Sequence, residues 1–249
     1  DNEVPFEFLK NNIVISGEEN LNNSIQSLEY DIINTINKLQ NSETQKIAFL
    51  EGHGELKDYE IADIAQTLSE FYTVERVKIN GLLNSLDEYS CVVIAKPDSV
   101  FSEKDKFIID QYIMNGGKSL WFIDPVSASL DSLSFQKALI GLINKTNLDD
   151  QLFKYGFRVN PILIQDMQCG ALKIKTSPQG AALKFDLFPW IYSPLLVSDE
   201  SHPMTKNLDL IKSEFVSSID TVGNNPNVKR QFLIYSSNQS RTVNAPARI

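Results

Sequence analysis

Lys46-Ile47-Ala48-Phe49-Leu50-Glu51-Gly52-His53-Gly54-Glu55 is the stretch on which the fold turns. Four apolar residues stand in a row without alternation and are stopped by two glycines, which is the pattern of a short strand buried on both faces. The next segments repeat the theme. A helix is expected from about Tyr59 to Phe71, with Ile61, Ile64, Ala65 and Leu68 on one side, and a weakly alternating strand over Val74 to Ile79. Cys91-Val92-Val93-Ile94-Ala95, closed by Lys96-Pro97, is a third strand. Ser102 is a good N-cap with Asp105 three residues on, and the helix it opens stops at Asn115-Gly116-Gly117, where glycine accepts the left-handed conformation. Leu120 to Ile123 is the fourth strand and ends at Asp124-Pro125. Strands alternating with helices of about a dozen residues imply a parallel sheet with helices on both faces. The expected class is therefore α/β, a mainly parallel sheet flanked by helices. Ile47–Leu50, Cys91–Ala95 and Leu120–Ile123 should be neighbours in it.

Outward from this unit the signals weaken. Residues 1–45 read as a lead-in: an extended piece from Val4 to Ile15, then a helix from about Ser24 to Leu39. Ile25, Leu28, Ile32, Ile36 and Leu39 give that helix an apolar face that should dock on something. Asn41 to Gln45 is a polar joint, and residues 46–249 are taken as the α/β core. Beyond Asp124, a helix over Leu148 to Tyr155 stops at Gly156, and Phe157 to Gln165 is expected to be a strand. Further strand-like runs lie at Leu172–Thr176, Leu183–Leu187, Glu214–Ile219 and Gln231–Ser236, with exposed loops at Ser177–Gly180 and Gly223–Asn227.

Composition narrows the function classes. The chain has 249 residues, 42% of them hydrophobic and 22% charged, and a net charge of −9. That is an ordinary globular balance with enough apolar residues for a core. The acidic charge, with no clustered Lys and Arg, excludes a nucleic-acid binder. No run approaches the length a membrane span needs, so the chain reads as soluble. Its abrupt ends, Asp1-Asn2-Glu3 and Ala247-Arg248-Ile249, read as those of a piece cut from a longer protein. Two cysteines, Cys91 and Cys169, are too few for a disulfide framework and are expected to stay unpaired.

The candidate chemistry gathers at Glu51-Gly52-His53-Gly54-Glu55, at the carboxyl end of the first core strand, where open α/β sheets bind ligands. His53 between two carboxylates could serve as a base or a ligand, but a metal site needs three or four donors and only His202 is left as a second histidine. No metal or other cofactor is therefore expected. The plainer reading is a turn whose histidine is held by a neighbouring carboxylate. Gly117-Lys118-Ser119 resembles a phosphate-loop tail but runs from helix to strand, the wrong order. Asp124 and Asp166, each at a strand end, could pair as carboxylates, although such aspartates usually cap a turn. Cys169 lacks a histidine nearby in sequence. Phe188-Pro189-Trp190-Ile191-Tyr192-Ser193-Pro194 is either a rigid aromatic contact surface or, as the first reading, the edge of a core. The binding candidates are Glu51, His53, Glu55, Asp124, Trp190 and Tyr192, and no residue is assigned a catalytic role.

Leu21-Asn22-Asn23-Ser24-Ile25, Ile47 through Leu56, Phe188-Pro189-Trp190, Tyr155-Gly156-Phe157-Arg158-Val159-Asn160 and Ser236 through Arg241 resemble, across essentially the whole chain, the extracytoplasmic region of the gliding-motility-associated ABC transporter auxiliary proteins (GldG) of Bacteroidetes. The resemblance implies a core similar to the class I glutamine amidotransferase-like and intraflagellar-transport-like, flavodoxin-like fold. It implies membrane helices outside this stretch, a place on the periplasmic side of the inner membrane, and ABC-2 type permease and ATPase subunits as partners. An exported protein or glycan would be the cargo. Amidotransferases of this class need a cysteine at a strand-to-helix elbow, and none is visible here. The expected function is thus a non-enzymatic auxiliary subunit that binds a partner protein or exported substrate. The alternatives are a cysteine hydrolase using His53, Asp124 or Cys169, or a sugar- or peptide-binding module.

Overall fold

In the computed structural model, which describes residues 6, 8–13, 15–40, 45–135, 138–177, 184–223 and 226–249, the chain begins with helix α1 (Gly17–Gln40). A parallel unit follows: β1 (Lys46–Glu51), α2 (Asp58–Ser69), β2 (Thr73–Lys78), β3 (Cys91–Ala95), α3 (Glu103–Met114) and β4 (Lys118–Phe122). The strands form one sheet in the order β2-β1-β3-β4, and every adjacent pair is parallel. The unbroken apolar runs are explained by cover on both faces. Ala48, Leu50, Val92 and Ile94 pack on one side with Ile108, Ile109 and Tyr112 of α3, while Ile47, Phe49, Val93 and Ala95 pack on the other with Ile61 and Leu68 of α2. Each fully buried Leu, Ile, Val or Phe among them contributes roughly 2 kcal/mol. Only β4 departs from this, for Leu120 and Phe122, in register with Val93 and Ala95, stay exposed. Ile64, expected on the covered side of α2, is also exposed. Ser102 caps α3 as expected, its hydroxyl accepting from the Asp105 amide.

After Asp124 the architecture changes to antiparallel pairing, in one four-stranded sheet and three smaller ladders among the described residues. The elements are β5 (Val126–Ser127), α4 (Leu130–Phe135), β6 (Ile140–Ile143), α5 (Asp149–Lys154), β7 (Phe157–Val159), β8 (Ile162–Asp166), β9 (Cys169–Lys175), β10 (Phe185–Ser198), β11 (Ile211–Lys212), β12 (Ile219–Thr221), β13 (Ile234–Tyr235), β14 (Ser240–Asn244) and β15 (Ala247–Arg248). Leu148 and Leu152 of the α5 region join the α3 side of the parallel core. A separate core gathers Val126, Leu163, Tyr192, Phe215 and Ala247.

Several expectations are corrected here. The strand expected over 157–165 is two strands parted at Asn160-Pro161, one pairing with β12 and the other with β14. Proline lacks the donor a continuous ladder would need. The runs at 214–219 and 231–236 are strand only at Ile219 and at Ile234–Tyr235, and the 183–187 run opens a 14-residue strand, with Leu183 outside the described residues. The described residues before α1 form no strand, and α1 begins seven residues earlier than expected, at Gly17, with Ser16 accepting from the Glu19 amide. Its apolar face is not docked among the described residues. The joint at 41–44 and most of the 177–180 loop lie outside them.

Candidate functional site

The loop after β1 folds back on the segment after β3. Gly52 and Gly54 have φ of +126° and +77°, and a Cβ on Gly54 would stand 1.6 Å from Asp98 Oδ1. Glycine takes that left-handed φ without strain and leaves room for the Asp98 carboxylate. The His53 carbonyl accepts from the Asp98 and Ser99 amides at 3.1 and 2.9 Å, and the Leu56 amide donates to the Ala95 carbonyl at 3.0 Å. These bonds turn the His53 side chain inward, where it is buried and stacked on Phe101 with ring centroids 3.7 Å apart.

Both ring nitrogens meet carboxylates: Nδ1 lies 3.2 Å from Glu55 Oε1, and Nε2 lies 3.3 Å from Asp105 Oδ2. The second Glu55 oxygen accepts from the His53 amide at 2.7 Å. Burial alone would lower the His53 pKa, but the hydrogen bonds and charges of Glu55 and Asp105 outweigh it and hold it above the ordinary histidine value. Burial likewise pushes Glu55 upward, and the His53 ring and the backbone amides reverse that and keep its carboxyl below the ordinary glutamate value. An imidazole can donate from both nitrogens only when protonated, so the arrangement favours an imidazolium bridging the loop to the first turn of α3. Such a ring has no free lone pair with which to act as a base.

The other candidates disperse. Glu51 turns away from His53 and receives Arg76 Nε at 3.0 Å. Asp124 lies against Lys96 at 3.1 Å, and Asp166 is buried and accepts from the Gln168 amide and from the Ser237 amide and hydroxyl, so the two aspartates do not pair. Trp190 is half-buried and Tyr192 buried, in tilted contact at 5.7 Å, with Tyr192 lying 6.0 Å from Phe215. Both pack in the second core, beside Phe215. Cys91 and Cys169 are unpaired and half-buried, and burial pushes the Cys91 thiol upward. Among the described residues no group of three or more His, Cys, Asp or Glu could hold a metal ion.

Sequence reasoning missed Asp105 as the second partner of His53. The signal was present: as the third residue after the Ser102 cap it had to sit in the first turn of α3. It also missed Lys96, whose φ of 54° is left-handed without a glycine's freedom. Lys96 follows β3 directly, and its amide donates to the Phe122 carbonyl at 2.8 Å. Beside it opens a cleft of about 310 Å³, with Gly54, Lys57, Tyr59, Asp98, Ser127 and Asn144 among its lining residues. The cleft lies off the carboxyl ends of β1, β3 and β4, by the point between β1 and β3 where the strand order reverses.

Fold and site together define an α/β domain with an open parallel sheet and a mixed polar cleft at its carboxyl edge. Residues 44–249 match the model of the family described as "ABC-type uncharacterized transport system", and the chain belongs to that family. It is accordingly an auxiliary component of an ABC-type transport system. No curated protein matches it. Among solved structures it is similar to the mmIFT52 N-terminal domain, with a TM-score of 0.44 and 14% identity over 71% of this chain and 68% of that one. No described helix is long and apolar enough to cross a membrane.

Proposed function

We propose that this chain is a non-enzymatic, periplasmic domain of a gliding-motility type ABC transporter auxiliary subunit, and that it binds a partner protein or an exported protein or glycan in the cleft at the carboxyl edge of its sheet. The observation that carries this reading is the cleft itself, at the switch point of the sheet, with Tyr59 standing 73% exposed at its rim. An exposed aromatic ring beside convergent polar groups is a low-entropy contact for a polypeptide or a sugar face. The nearby histidine, held by two carboxylates, supports binding over hydrolysis. Permease and ATPase subunits would meet the domain through membrane segments of the whole protein.

The test is photo-crosslinking from position 59, carrying a photoreactive phenylalanine analogue, in the intact protein in its own membranes. A discrete adduct with a transport subunit or exported molecule is expected, absent when the analogue is placed at Ile174 instead. Equal labelling from both positions would overturn the reading. Catalysis is addressed by alkylation: both thiols should react with iodoacetamide slowly, like unactivated cysteines. Fast, selective labelling of Cys169 that disappears in His53→Ala would establish a hydrolase instead.

A further inference from the structure

α1 has 24 residues, twice the length of α2 or α3, and its two sides are unequally occupied. One side is covered by its own chain. The Lys10 amide donates to Ser24 Oγ at 2.9 Å, the Asn12 amide to Asn20 Oδ1 at 2.9 Å, and Lys10 Nζ lies 3.1 Å from Asp31. At its carboxyl end Lys38 reaches Glu70 at 2.7 Å and lies over the Phe71 ring. The remaining side is apolar and open, with Leu21, Ile25, Ile32, Ile36 and Leu39 between 41% and 63% exposed.

These residues keep a seven-residue register. Leu21, Leu28 and Thr35 fall at d positions and Ile25, Ile32 and Leu39 at a positions. We propose that α1 pairs with α1 of a second copy of this chain, parallel and in register, as a two-stranded coiled coil. β-Branched isoleucine at a with leucine at d is the combination that selects two parallel strands over three or four. The flanking positions agree. At g, Ser24 is already taken up by the Lys10 amide and the Asp31 charge by Lys10 Nζ, so that flank sets no unpaired acidic group against Glu29 or Ile36 at e of the partner helix. Five side chains about half exposed amount, over two copies, to on the order of 1,000 Å² of removable surface, the lower bound for a specific interface. The contacts with the globular part leave through Lys38 at g. A two-fold axis along the seam therefore places the two bodies on opposite flanks.

Sedimentation equilibrium of this chain over a concentration series should show a monomer–dimer equilibrium, weakened at least about tenfold by the Ile25→Asp/Ile32→Asp double substitution. Under mild oxidation Ile25→Cys should link to its own counterpart, identified by mass spectrometry of the joined peptide and so distinguished from Cys91 and Cys169. Asn37→Cys, on the outer face, should not. Far-UV circular dichroism and the melting temperature of the double variant check that the sheet is intact. Ile32→Asn, milder in its effect on the helix, should weaken the dimer while the Ile25→Cys chain carrying it still links through position 25. A monomer at every concentration would overturn the proposal, including one whose stripe is instead taken by another subunit. So would a dimer indifferent to the double substitution, or equal linkage at positions 25 and 37.

Discussion

The two halves of this molecule are held together by different means. From β1 to β4 the strands share one continuous sheet, β1 pairing with β2 over all six of its residues, and apolar clusters close over both faces. From β5 onward the described strands form one antiparallel sheet of β9, β10, β11 and β13 and three smaller ladders, with one modest core, and partly buried polar bonds join them. Asp166 gathers the 237–239 turn; Ser193 donates to the Ser213 carbonyl at 2.8 Å, Ser213 returns a bond to the Pro194 carbonyl at 2.8 Å, and Ser217 donates to the Ile162 carbonyl at 2.6 Å. An apolar core tolerates local imprecision, whereas each such latch depends on one donor and one acceptor meeting. Truncating apolar side chains should thus damage the first half most, and removing a single polar group should damage the second.

The largest effect is expected at Phe101, fully buried in the parallel core and stacked on His53. Phe101→Ala should cost about 4 kcal/mol in urea unfolding, from lost burial plus an unfilled cavity. Asp166→Ala should cost about 3 kcal/mol, because it leaves the Gln168 and Ser237 amides without their charged acceptor. Hydrogen exchange would separate the two: loss of protection confined to β8 and β14 for Asp166→Ala, spread over β1 and β3 for Phe101→Ala. The opposite distribution would erase the contrast between the halves.

The same contrast explains what was legible in the sequence. Ile47–Leu50 and Cys91–Ala95 announce themselves because two covered faces demand unbroken apolar runs, and the Ser102 cap and Gly116-Gly117 stop are local chemistry. Latches are not local. Asp166 and Ser237 stand 71 residues apart, and nothing in either stretch names the other. β10 hid for a related reason: Pro189 and Pro194 look like breaks, yet its pairing with β9 shifts register between them and the strand runs on. At the site, position was legible and partnership was not. Glu51 was drawn to Arg76, and its place beside His53 was taken by Asp105, 52 residues on.

Gly54→Ala ranks next. It forces a left-handed φ on a residue with a Cβ and drives that atom into Asp98. Because the Asp98 carboxylate is exposed and can swing aside, about 2 kcal/mol is expected rather than collapse. Gly52→Ala, with open space around its Cβ, carries the backbone strain without the clash and should cost less. Equal costs would mean that the 51–55 loop does not rest on the 96–99 segment in solution.

The His53 bridge predicts a pH dependence opposite in sign to that of Asp166 in the second half. Its folded pKa is raised, so its contribution is full below the unfolded histidine value of about 6.5 and is lost as pH rises through the folded value. Glu55 and Asp166 are depressed and act in the opposite window: their contributions are present above the unfolded carboxyl values and lost as pH falls through the folded ones. Unfolding free energy measured from neutral pH upward should decline in the wild type and stay flatter in His53→Gln. Asp166→Ala should leave that alkaline decline unchanged while flattening the acid one.

The smallest effect is expected on the β9–β10 hairpin. Leu187 is 69% exposed, and Ile174, Phe185 and Phe188 around it are about half exposed, so the outer end of this strand pair buries little apolar surface among the described residues. Lys173 lies over the Phe185 ring at 5.1 Å, and Lys184 and Thr176 both bond Asp186, which shows how far surface contacts substitute for a core there. Such contacts are individually worth a few tenths of a kcal/mol. Leu187→Ser should therefore change the unfolding free energy by no more than about 0.5 kcal/mol. A loss well above 1 kcal/mol in the isolated chain would mean that Leu187 is covered in solution. If another copy supplies that cover, the loss should grow with protein concentration as dimer stability does. The same titration performed on Ile25→Asp/Ile32→Asp would tell a hairpin-mediated dimer from one built on α1, because only the former survives that double substitution.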